Sequence, residues 1–338
     1  MSTARPCPAD AHGICYDPIA MVKGRFAPSP TGRMHLGNVF CALLSWLSAK
    51  SKGGEWLLRI EDLDPQRSRR EYALQLMDDL EWLGLTWDNE PIWQSRRGEV
   101  YEHYLHRLDN MGLTYPCYCT RADIMATQAP HESDGRVVYK GTCRPKQSEQ
   151  SDVSDKSLNS LPPATTRLMV PDTVIPFLDG HYGRHDINLT EHCGDYIVRR
   201  KDGAWAYQLA VVVDDALMGV TEIVRGRDLL LSSPQQIHLR QVLFRDDHSM
   251  PPLLFFHHPL LCNAQGQRLC KRDKSMDLGY LRDHGTLPEE IIGHMAHLAG
   301  LLSEPTHMSP QELLKDFDWT KVPTHDIIVP PKGSNCLS

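Results

Sequence analysis

The sequence predicts an α/β protein built on a parallel sheet. In the first hundred residues, short apolar stretches that suit buried strands alternate with segments whose apolar residues recur at helical spacing. Strands that alternate with helices at such short intervals favour parallel pairing, because each helix returns the chain to the same end of the sheet. The length of 338 residues corresponds to about two domains, so a sizeable core is expected.

Local patterns predict the order of the first elements. A strand is predicted at 22–27, and the turn Pro-Ser-Pro-Thr-Gly at 28–32 ends it. Apolar residues recur at every third or fourth position from 36 to 47, which predicts a helix that a pair of glycines terminates. A second buried strand is predicted at 56–60, followed by a second amphipathic helix at 73–83. These four elements begin the predicted sheet.

The rest of the chain divides by composition. A polar, Ser-rich stretch at 146–163 is predicted to be mobile, and helices are predicted at 229–243 and from 278 onward. The predicted organisation is a disordered tail (1–21), the first half of the sheet domain (22–113), a Cys-containing module with the mobile insert (114–166), the second half of the sheet domain (167–276), a C-terminal helical segment (277–318) and a tail (319–338).

Composition and charge exclude several classes of protein. No apolar run approaches the roughly 20 residues that span a bilayer, and the N-terminus has no apolar stretch of signal-peptide length. A net charge of −7 argues against a non-specific nucleic-acid coat, although local clusters such as Arg67, Arg69 and Arg70 could bind phosphates. Ten cysteines without a secretory signal do not indicate a disulfide framework. We therefore expect a cytoplasmic protein with no membrane partner.

The turn after the first strand is a candidate phosphate site. It delivers His35 and Asn38 to the first turn of the predicted helix, where unpaired backbone N–H groups and a partial positive charge attract phosphate. Gly37 between them would let a base or a ribose approach the backbone closely. The alternative is a capped helix that carries an incidental histidine.

A second candidate phosphate site lies more than 230 residues later, in the run Lys-Arg-Asp-Lys-Ser at 271–275. Lys271 and Lys274 would place ammonium groups on a loop, and such groups suit a triphosphate whose charge grows as pyrophosphate leaves. Taken alone, the run could be a solvated basic loop.

Together, these two segments resemble the HIGH and KMSKS signatures of class I aminoacyl-tRNA synthetases. Four further blocks, at 24–32, 59–64, 207–215 and 222–229, are similar to the glutamyl branch of that family. The resemblance extends over about residues 22–302, and it implies a Rossmann-like catalytic domain with an inserted acceptor-type module. The chain departs from the signatures at Asn38, where HIGH has a second histidine, and in the middle of the KMSKS-like loop.

The resemblance implies that L-glutamate is activated with ATP, and that Mg²⁺ accompanies the ATP. The implied catalytic residues are His35, Asn38, Lys271 and Lys274, and the implied ATP-binding residues are His35, Gly37, Asn38 and Lys274. The implied glutamate-binding residues are Arg25, Phe26, Ala27, Pro28, Ser29, Glu61, Tyr207 and Arg225.

Among these, Arg25 and Arg225 would pair with the side-chain carboxylate, because glutamine cannot supply that charge and the guanidinium fork matches both oxygens. Glu61 would pair with the substrate ammonium, and Tyr207 would close the pocket. Each residue could instead have a structural role without contact to substrate: Arg25 could lie in a surface turn, Glu61 could pair with Arg59 or Arg67, and Tyr207 could belong to the core.

Three cysteines form a candidate metal site: Cys117, Cys119 and Cys143. Three thiolates are one ligand short of a closed tetrahedral zinc site, and His131 could supply the fourth. The resemblance instead implies Tyr139, within a structural zinc module that glutamyl-branch enzymes carry between the two halves of the sheet. We expect one Zn²⁺ per chain. The alternative is three reduced cysteines in a loop.

The length of chain after the second phosphate site distinguishes members of the branch. Only 63 residues follow Ser275, whereas a glutamyl-tRNA synthetase continues into an anticodon-binding helical domain. The layout therefore resembles the glutamyl-Q tRNA(Asp) synthetases, a family that activates glutamate without tRNA and transfers it to queuosine at the wobble position of tRNA(Asp). We expect L-glutamate, ATP and queuosine-containing tRNA(Asp) as substrates of a monomer. The alternatives are a truncated glutamyl-tRNA synthetase that charges a tRNA 3′ end, a nucleotidylyltransferase, and a non-catalytic glutamate- or tRNA-binding paralogue.

Overall fold

The computed structural model describes residues 21–126, 138–145, 162–269 and 277–329. Its strands are β1 (Lys23–Phe26), β2 (Glu55–Ile60), β3 (Asp88–Trp93), β4 (Thr114–Cys117), β5 (Thr165–Leu168), β6 (Val174–Asp179), β7 (Gly183–Asn188), β8 (Tyr196–Arg199), β9 (Glu222–Gly226), β10 (Leu254–His258), β11 (Leu261–Cys262) and β12 (Ile327–Ile328). Its α-helices are α1 (Leu36–Lys50), α2 (Arg70–Trp82), α3 (Gly98–Asn110), α4 (Arg121–Ala126), α5 (Leu189–His192), α6 (Tyr207–Leu217), α7 (Ser233–Leu243), α8 (Leu278–Asp283), α9 (Pro288–Leu298) and α10 (Pro310–Leu313). The predicted tail before residue 21, His131, the segment 146–161, and both Lys271 and Lys274 lie outside the described residues.

The predicted parallel α/β architecture is confirmed, and strands from the two halves of the chain form two sheets that adjoin at β1 and β9. β1, β2 and β3 pair in parallel in that order, and β9, β10 and β6 also pair in parallel, with β7 antiparallel beside β6. β1 adjoins β9, where the Thr221 backbone N–H donates to the Lys23 carbonyl at 3.0 Å. Farther along the two strands, Arg25 donates to the Val224 carbonyl at 3.4 Å, so the carboxyl ends of β1 and β9 also lie close together, which is where open α/β sheets bind ligands.

Helix α1 lies at the centre of the main core, in contact with β1, β9 and α9. Leu43, Leu44 and Leu47 are fully buried, and burial of such a side chain contributes about 1.5–3 kcal/mol relative to exposure. This burial holds α1 against the sheet, and the buried Leu36, Val39 and Phe40 hold its first turns. None of the helices in the described parts of the chain is long and apolar enough to cross a membrane.

A separate antiparallel sheet carries the cysteine cluster. β5 pairs with both β4 and β8, and Tyr139 forms a bridge with Gly194 just before β8. Tyr115, Cys117 and Tyr139 form a small core of their own. The described parts of the predicted module (114–126, 138–145 and 162–166) thus pack together with β8, which the sequence analysis assigned to the second half of the sheet domain.

The predicted C-terminal tail (319–338) is wrong for residues 319–329. The Trp319 ring stacks on Phe256 with centroids 5.0 Å apart, and its Nε1–H donates to Ser48 Oγ at 2.9 Å. β12 pairs in parallel with β11. The prolines that suggested a tail separate short elements, each of which packs against the main core.

Two helix predictions also need adjustment. The helix predicted at 229–243 begins with a 3₁₀ segment, Arg227–Ser232, and continues as α7. The helical region predicted from 278 onward is interrupted between α8 and α9, where Gly285 adopts a positive φ of 82°. Glycine adopts this conformation without strain, so the chain can turn there.

Candidate active site

A cavity of about 490 Å³ opens at the carboxyl ends of β1 and β9. Residues predicted from the sequence line it from four separate segments of the chain. They are Arg25, Phe26, Ala27, Pro28, Ser29, His35, Gly37, Asn38, Glu61, Tyr207 and Arg225. Every predicted glutamate- or ATP-binding residue within the described ranges therefore borders one cavity.

The described residues on either side of the basic run 271–275 adjoin the same cavity. Leu269 lines it, and Asp277 pairs with His35 in a β-bridge. Leu269 and Asp277 therefore both lie near the predicted phosphate site at the start of α1.

His35 is the N-cap of α1. Its Nδ1 accepts a hydrogen bond from the Gly37 backbone N–H at 3.1 Å, and Asn38 Oδ1 accepts one from the His35 backbone N–H at 3.2 Å. A neutral ring whose Nδ1 accepts carries its proton on Nε2. The Nε2–H group of His35 is therefore a donor at a helix N-terminus, a position that favours anions.

The His35 ring also explains the glycine at position 37. A Cβ there would lie 2.9 Å from His35 Cε1 and 3.0 Å from Nδ1, closer than such atoms pack without displacement. Sequence analysis assigned Gly37 to the approach of a base or ribose. The structure adds a second reason, since the capping ring occupies the space that a side chain would need.

Arg225 is a buried cation whose hydrogen-bond partners among the described residues are uncharged. It is 4% exposed, and its guanidinium donates to His257 Nε2 at 3.0 Å, Gln236 Oε1 at 2.7 Å and Ser233 Oγ at 2.8 Å. The nearby Tyr207 side chain favours the charged form of Arg225. Burial lowers the pKa of Arg225, yet a guanidinium stays protonated in proteins. Its positive charge is therefore available to an anion that enters the cavity.

Arg25, by contrast, shares a buried carboxylate with a second arginine. Arg25 Nε donates to Asp215 Oδ1 at 3.2 Å, and Arg59 donates to the same oxygen at 2.5 Å and to Glu61 Oε1 at 3.1 Å. Burial alone would raise the pKa of Asp215, but the Arg25 and Arg59 guanidiniums hold it below its usual range. Burial raises the pKa of Glu61 despite the nearby Arg59. This row of alternating charges fixes both Arg25 and Glu61 at the cavity wall.

A second cavity of about 830 Å³ adjoins the first. Four residues line both cavities: Ser29, Thr31, Glu61 and Tyr207. Arginines and aromatic rings line much of the remainder: Arg67, Arg167, Arg200, Tyr139, Tyr196 and Trp205. Positive charge combined with aromatic rings suits the phosphates and bases of a nucleic acid.

The three predicted cysteine ligands come together. The Sγ atoms of Cys117, Cys119 and Cys143 lie within 4.8 Å of one another, and Tyr139 Oη lies 3.4 Å from Cys117 Sγ and 3.7 Å from Cys119 Sγ. Ligands of a tetrahedral zinc ion with Zn–S bonds of about 2.3 Å are separated by about 3.8 Å. Burial opposes ionisation of Cys143, but hydrogen bonds from Tyr118 and Tyr139 lower its pKa to about 7. This donor set could hold a metal ion.

The structure gives roles to three residues that sequence analysis did not assign to the site, although it named Arg59 as a possible partner of Glu61, and that ion pair is present. Arg59, Asp215 and His257 are all buried. Each contacts a predicted glutamate-binding residue: Arg59 contacts Glu61, Asp215 contacts Arg25, and His257 contacts Arg225. Arg59 and His257 lie at or near the carboxyl ends of β2 and β10. A polar residue that closes an apolar strand in a parallel sheet is the signal by which these two could have been found.

Comparisons with known proteins agree with this geometry. The family model of class I tRNA synthetases (E and Q), catalytic domain, matches residues 21–327. A glutamyl-Q tRNA(Asp) synthetase of Nitratidesulfovibrio vulgaris is 42% identical over 92% of this chain and 96% of its own length. One of Symbiobacterium thermophilum is 43% identical over 94% of this chain and 99% of its own length.

A solved structure extends the likeness to the fold. A glutamate tRNA ligase of Elizabethkingia meningosepticum, crystallised with its amino acid, is 28% identical, with a TM-score of 0.74 over 92% of this chain and 67% of the ligase. The family predicted from the sequence motifs is confirmed. The chain belongs to the class I tRNA synthetases of the E and Q type, within the glutamyl-Q tRNA(Asp) synthetase family, and is a ligase-type enzyme.

Proposed function

We propose that this protein activates L-glutamate with ATP and transfers the glutamyl group to queuosine at the wobble position of tRNA(Asp). The observation that carries the proposal is the buried charge of Arg225, which forms no ion pair with a carboxylate among the described residues and borders the same cavity as Glu61 and the capped start of α1. A binding site with a cation, a carboxylate and a phosphate-binding turn matches an acidic amino acid together with ATP.

Glutamate binding uses both arginines and Glu61. Arg225 and Arg25 pair with the side-chain carboxylate, while Glu61 accepts hydrogen bonds from the ammonium. Phe26, Ala27, Pro28 and Ser29 shape the wall, and Tyr207 closes the pocket beside Arg225. Glutamine is rejected because its neutral amide leaves the buried Arg225 charge unpaired.

ATP binds at the start of α1. His35 Nε2–H and the Asn38 side chain contact phosphate oxygens, and Gly37 leaves room for the nucleoside. Lys271 and Lys274 neutralise the charge that develops on the departing pyrophosphate, and Mg²⁺ arrives with the ATP. A carboxylate oxygen of glutamate attacks the α-phosphorus, the bond to pyrophosphate breaks, and glutamyl-adenylate forms. No protein nucleophile is needed, because positioning and charge stabilisation supply the catalysis.

The larger cavity receives the acceptor nucleotide. An acceptor hydroxyl attacks the carbonyl carbon of the adenylate, and AMP leaves. Ser29, Glu61 and Tyr207 border both cavities, which supports transfer between neighbouring sites without release of the intermediate. The arginines of the larger cavity hold phosphates of the anticodon loop. Queuosine-containing tRNA(Asp) is proposed as the acceptor, in keeping with the names of the relatives.

We also propose that Cys117, Cys119, Tyr139 and Cys143 hold one structural Zn²⁺. The close packing of three sulfurs and one phenol oxygen supports this donor set. Zinc would join β4 to the segment around Tyr139 and so support the wall of the larger cavity. Because one chain supplies every proposed site residue, we propose that the enzyme acts as a monomer in the cytoplasm, where ATP and tRNA are available.

Exchange of labelled pyrophosphate into ATP tests the activation step. We expect exchange that depends on glutamate, does not occur with glutamine, and needs no tRNA. His35→Ala should abolish it, and His106→Ala, at an exposed histidine of α3, is the matched control. Exchange that requires tRNA would favour an ordinary glutamyl-tRNA synthetase, and no exchange with glutamate would contradict the proposal.

A further inference from the structure

Behind Arg225, strands β10 and β6 contribute His257 and Asp179 to a buried row of hydrogen bonds. Arg225 Nε donates to His257 Nε2 at 3.0 Å, and His257 Nδ1 lies 2.6 Å from Asp179 Oδ2. His257 is 0% exposed and Asp179 is 1% exposed. Neither side chain borders the cavity of about 490 Å³, so any effect on substrate must act through Arg225.

The neighbours of His257 determine its protonation. Arg225 Nε always carries a hydrogen, so His257 Nε2 is the unprotonated nitrogen that accepts it. The ring proton then lies on Nδ1 and is donated to the Asp179 carboxylate. Burial lowers the pKa of His257, which favours this neutral form over the imidazolium.

We propose that Asp179 and His257 are positioning residues for glutamate recognition: Asp179 fixes the Nδ1–H tautomer of His257, and His257 orients the Arg225 guanidinium. The inference rests on the proposed role of Arg225. A carboxylate in direct contact would neutralise Arg225 and repel an anionic substrate. A neutral acceptor, itself held by a carboxylate, orients the guanidinium and leaves its charge for the ligand.

Backbone groups lock the orientation of Asp179. Its Oδ1 accepts from the His181 N–H at 3.0 Å and the Tyr182 N–H at 2.8 Å, and the His257 N–H lies between the two oxygens, 3.3 Å from Oδ1 and 3.2 Å from Oδ2. An asparagine at 179 would keep its oxygen toward these donors and turn its NH₂ group toward His257 Nδ1. Nδ1 would then have to accept, the ring proton would move to Nε2, and two donors would face each other between His257 and Arg225. Asp179→Asn thus reverses the tautomer at almost constant side-chain volume.

The test measures glutamate-dependent pyrophosphate exchange by Asp179→Asn while glutamate and ATP are varied separately. The expected result is a rise in glutamate KM of about 10- to 100-fold, as for loss of a partner behind a ligating side chain, with little change in ATP KM. An unchanged glutamate KM in the folded variant overturns the proposal. Absence of exchange in the wild-type protein contradicts the proposed function instead, so the two failures are distinguishable.

If Asp179→Asn does not fold, two His257 variants test whether His257 orients Arg225. His257→Gln retains an oxygen that can accept from Arg225 Nε, whereas His257→Leu retains volume but has no acceptor. The proposal predicts a much higher glutamate KM for the leucine variant, and equal KM values in the two variants overturn it. His294→Leu, which removes a buried histidine from α9, is the control that should leave both KM values unchanged.

The tautomer itself supplies a readout that does not depend on activity. In ¹⁵N spectra of the histidine-labelled wild-type protein, the resonances that disappear in a His257 variant belong to this ring. Signals of an Nδ1–H tautomer support the proposal, and signals of an Nε2–H tautomer or an imidazolium at neutral pH overturn it.

Discussion

Substitution of Arg225 by glutamine should separate glutamate recognition from ATP binding. The amide can still hydrogen-bond to Gln236 or Ser233, but it carries no charge. Loss of one partner of a buried charge pair costs about 2–5 kcal/mol. At about 1.36 kcal/mol per factor of ten, the glutamate KM should rise between about 30-fold and several thousand-fold. The ATP KM should stay near the wild-type value, because the proposed ATP contacts lie at the start of α1.

We expect the Arg225→Gln variant to fold, so that a change in its glutamate KM can be assigned to substrate binding. No ion pair joins Arg225 directly to a carboxylate in the described ranges, so Arg225→Gln breaks no buried ion pair. The substitution removes hydrogen bonds worth about 0.5–1.5 kcal/mol each but also removes the cost of burying a guanidinium. We therefore expect a melting temperature near that of the wild type.

The assay is pyrophosphate exchange with glutamate and, separately, with glutamine. Arg184→Gln is the matched control, because Arg184 is an exposed arginine that pairs with Asp186 on β7 and should have no effect on either substrate. Arg225→Gln should lose most of the preference for glutamate over glutamine. An unchanged glutamate KM in the folded variant would refute the assignment of the side-chain carboxylate to Arg225.

Other substitutions test the ATP side and the cysteine cluster. Lys274→Ala should lower the exchange rate by about 100-fold or more, as when one stabilising donor is removed from a transition state; a rate close to wild type would remove Lys274 from the mechanism. Gly37→Ala should displace the His35 ring, because the new Cβ would lie 2.9 Å from its Cε1, and so raise the ATP KM; an unaltered ATP KM would contradict this steric argument. Protein purified without chelator should hold about one zinc per chain, and Cys117→Ser should release it. A metal-free wild-type protein with full activity would show that zinc is dispensable.

The start of the sheet is predictable from sequence because its signals are local. The strand before Pro28, the turn, and the apolar face of the following helix are each encoded within a few residues. The placement of His35 and Asn38 at the start of that helix follows from the short segment alone, whereas Arg25 enters the site only through the resemblance. Assembly of the cysteine cluster is also suggested by close spacing, whereas Tyr139 enters only through the resemblance.

Contacts between distant segments are not predictable in this way. Arg225, His257 and Asp179 belong to three different strands, and their contact depends on the order of β9, β10 and β6 in the sheet. Trp319 packs against Phe256 and Ser48, neither of which is near it in sequence. Proline-rich composition was therefore a misleading guide to residues 319–329, because packing against the core decided their structure.

The most direct test of the account is the identity of the acceptor. The enzyme should be incubated with ATP, labelled glutamate, and tRNA(Asp) prepared from queuosine-positive and queuosine-deficient cells. The account predicts label on the queuosine-containing tRNA(Asp) and none on the tRNA that lacks queuosine. Equal labelling of both tRNAs, or labelling of tRNA(Glu) at its 3′ end, would contradict it.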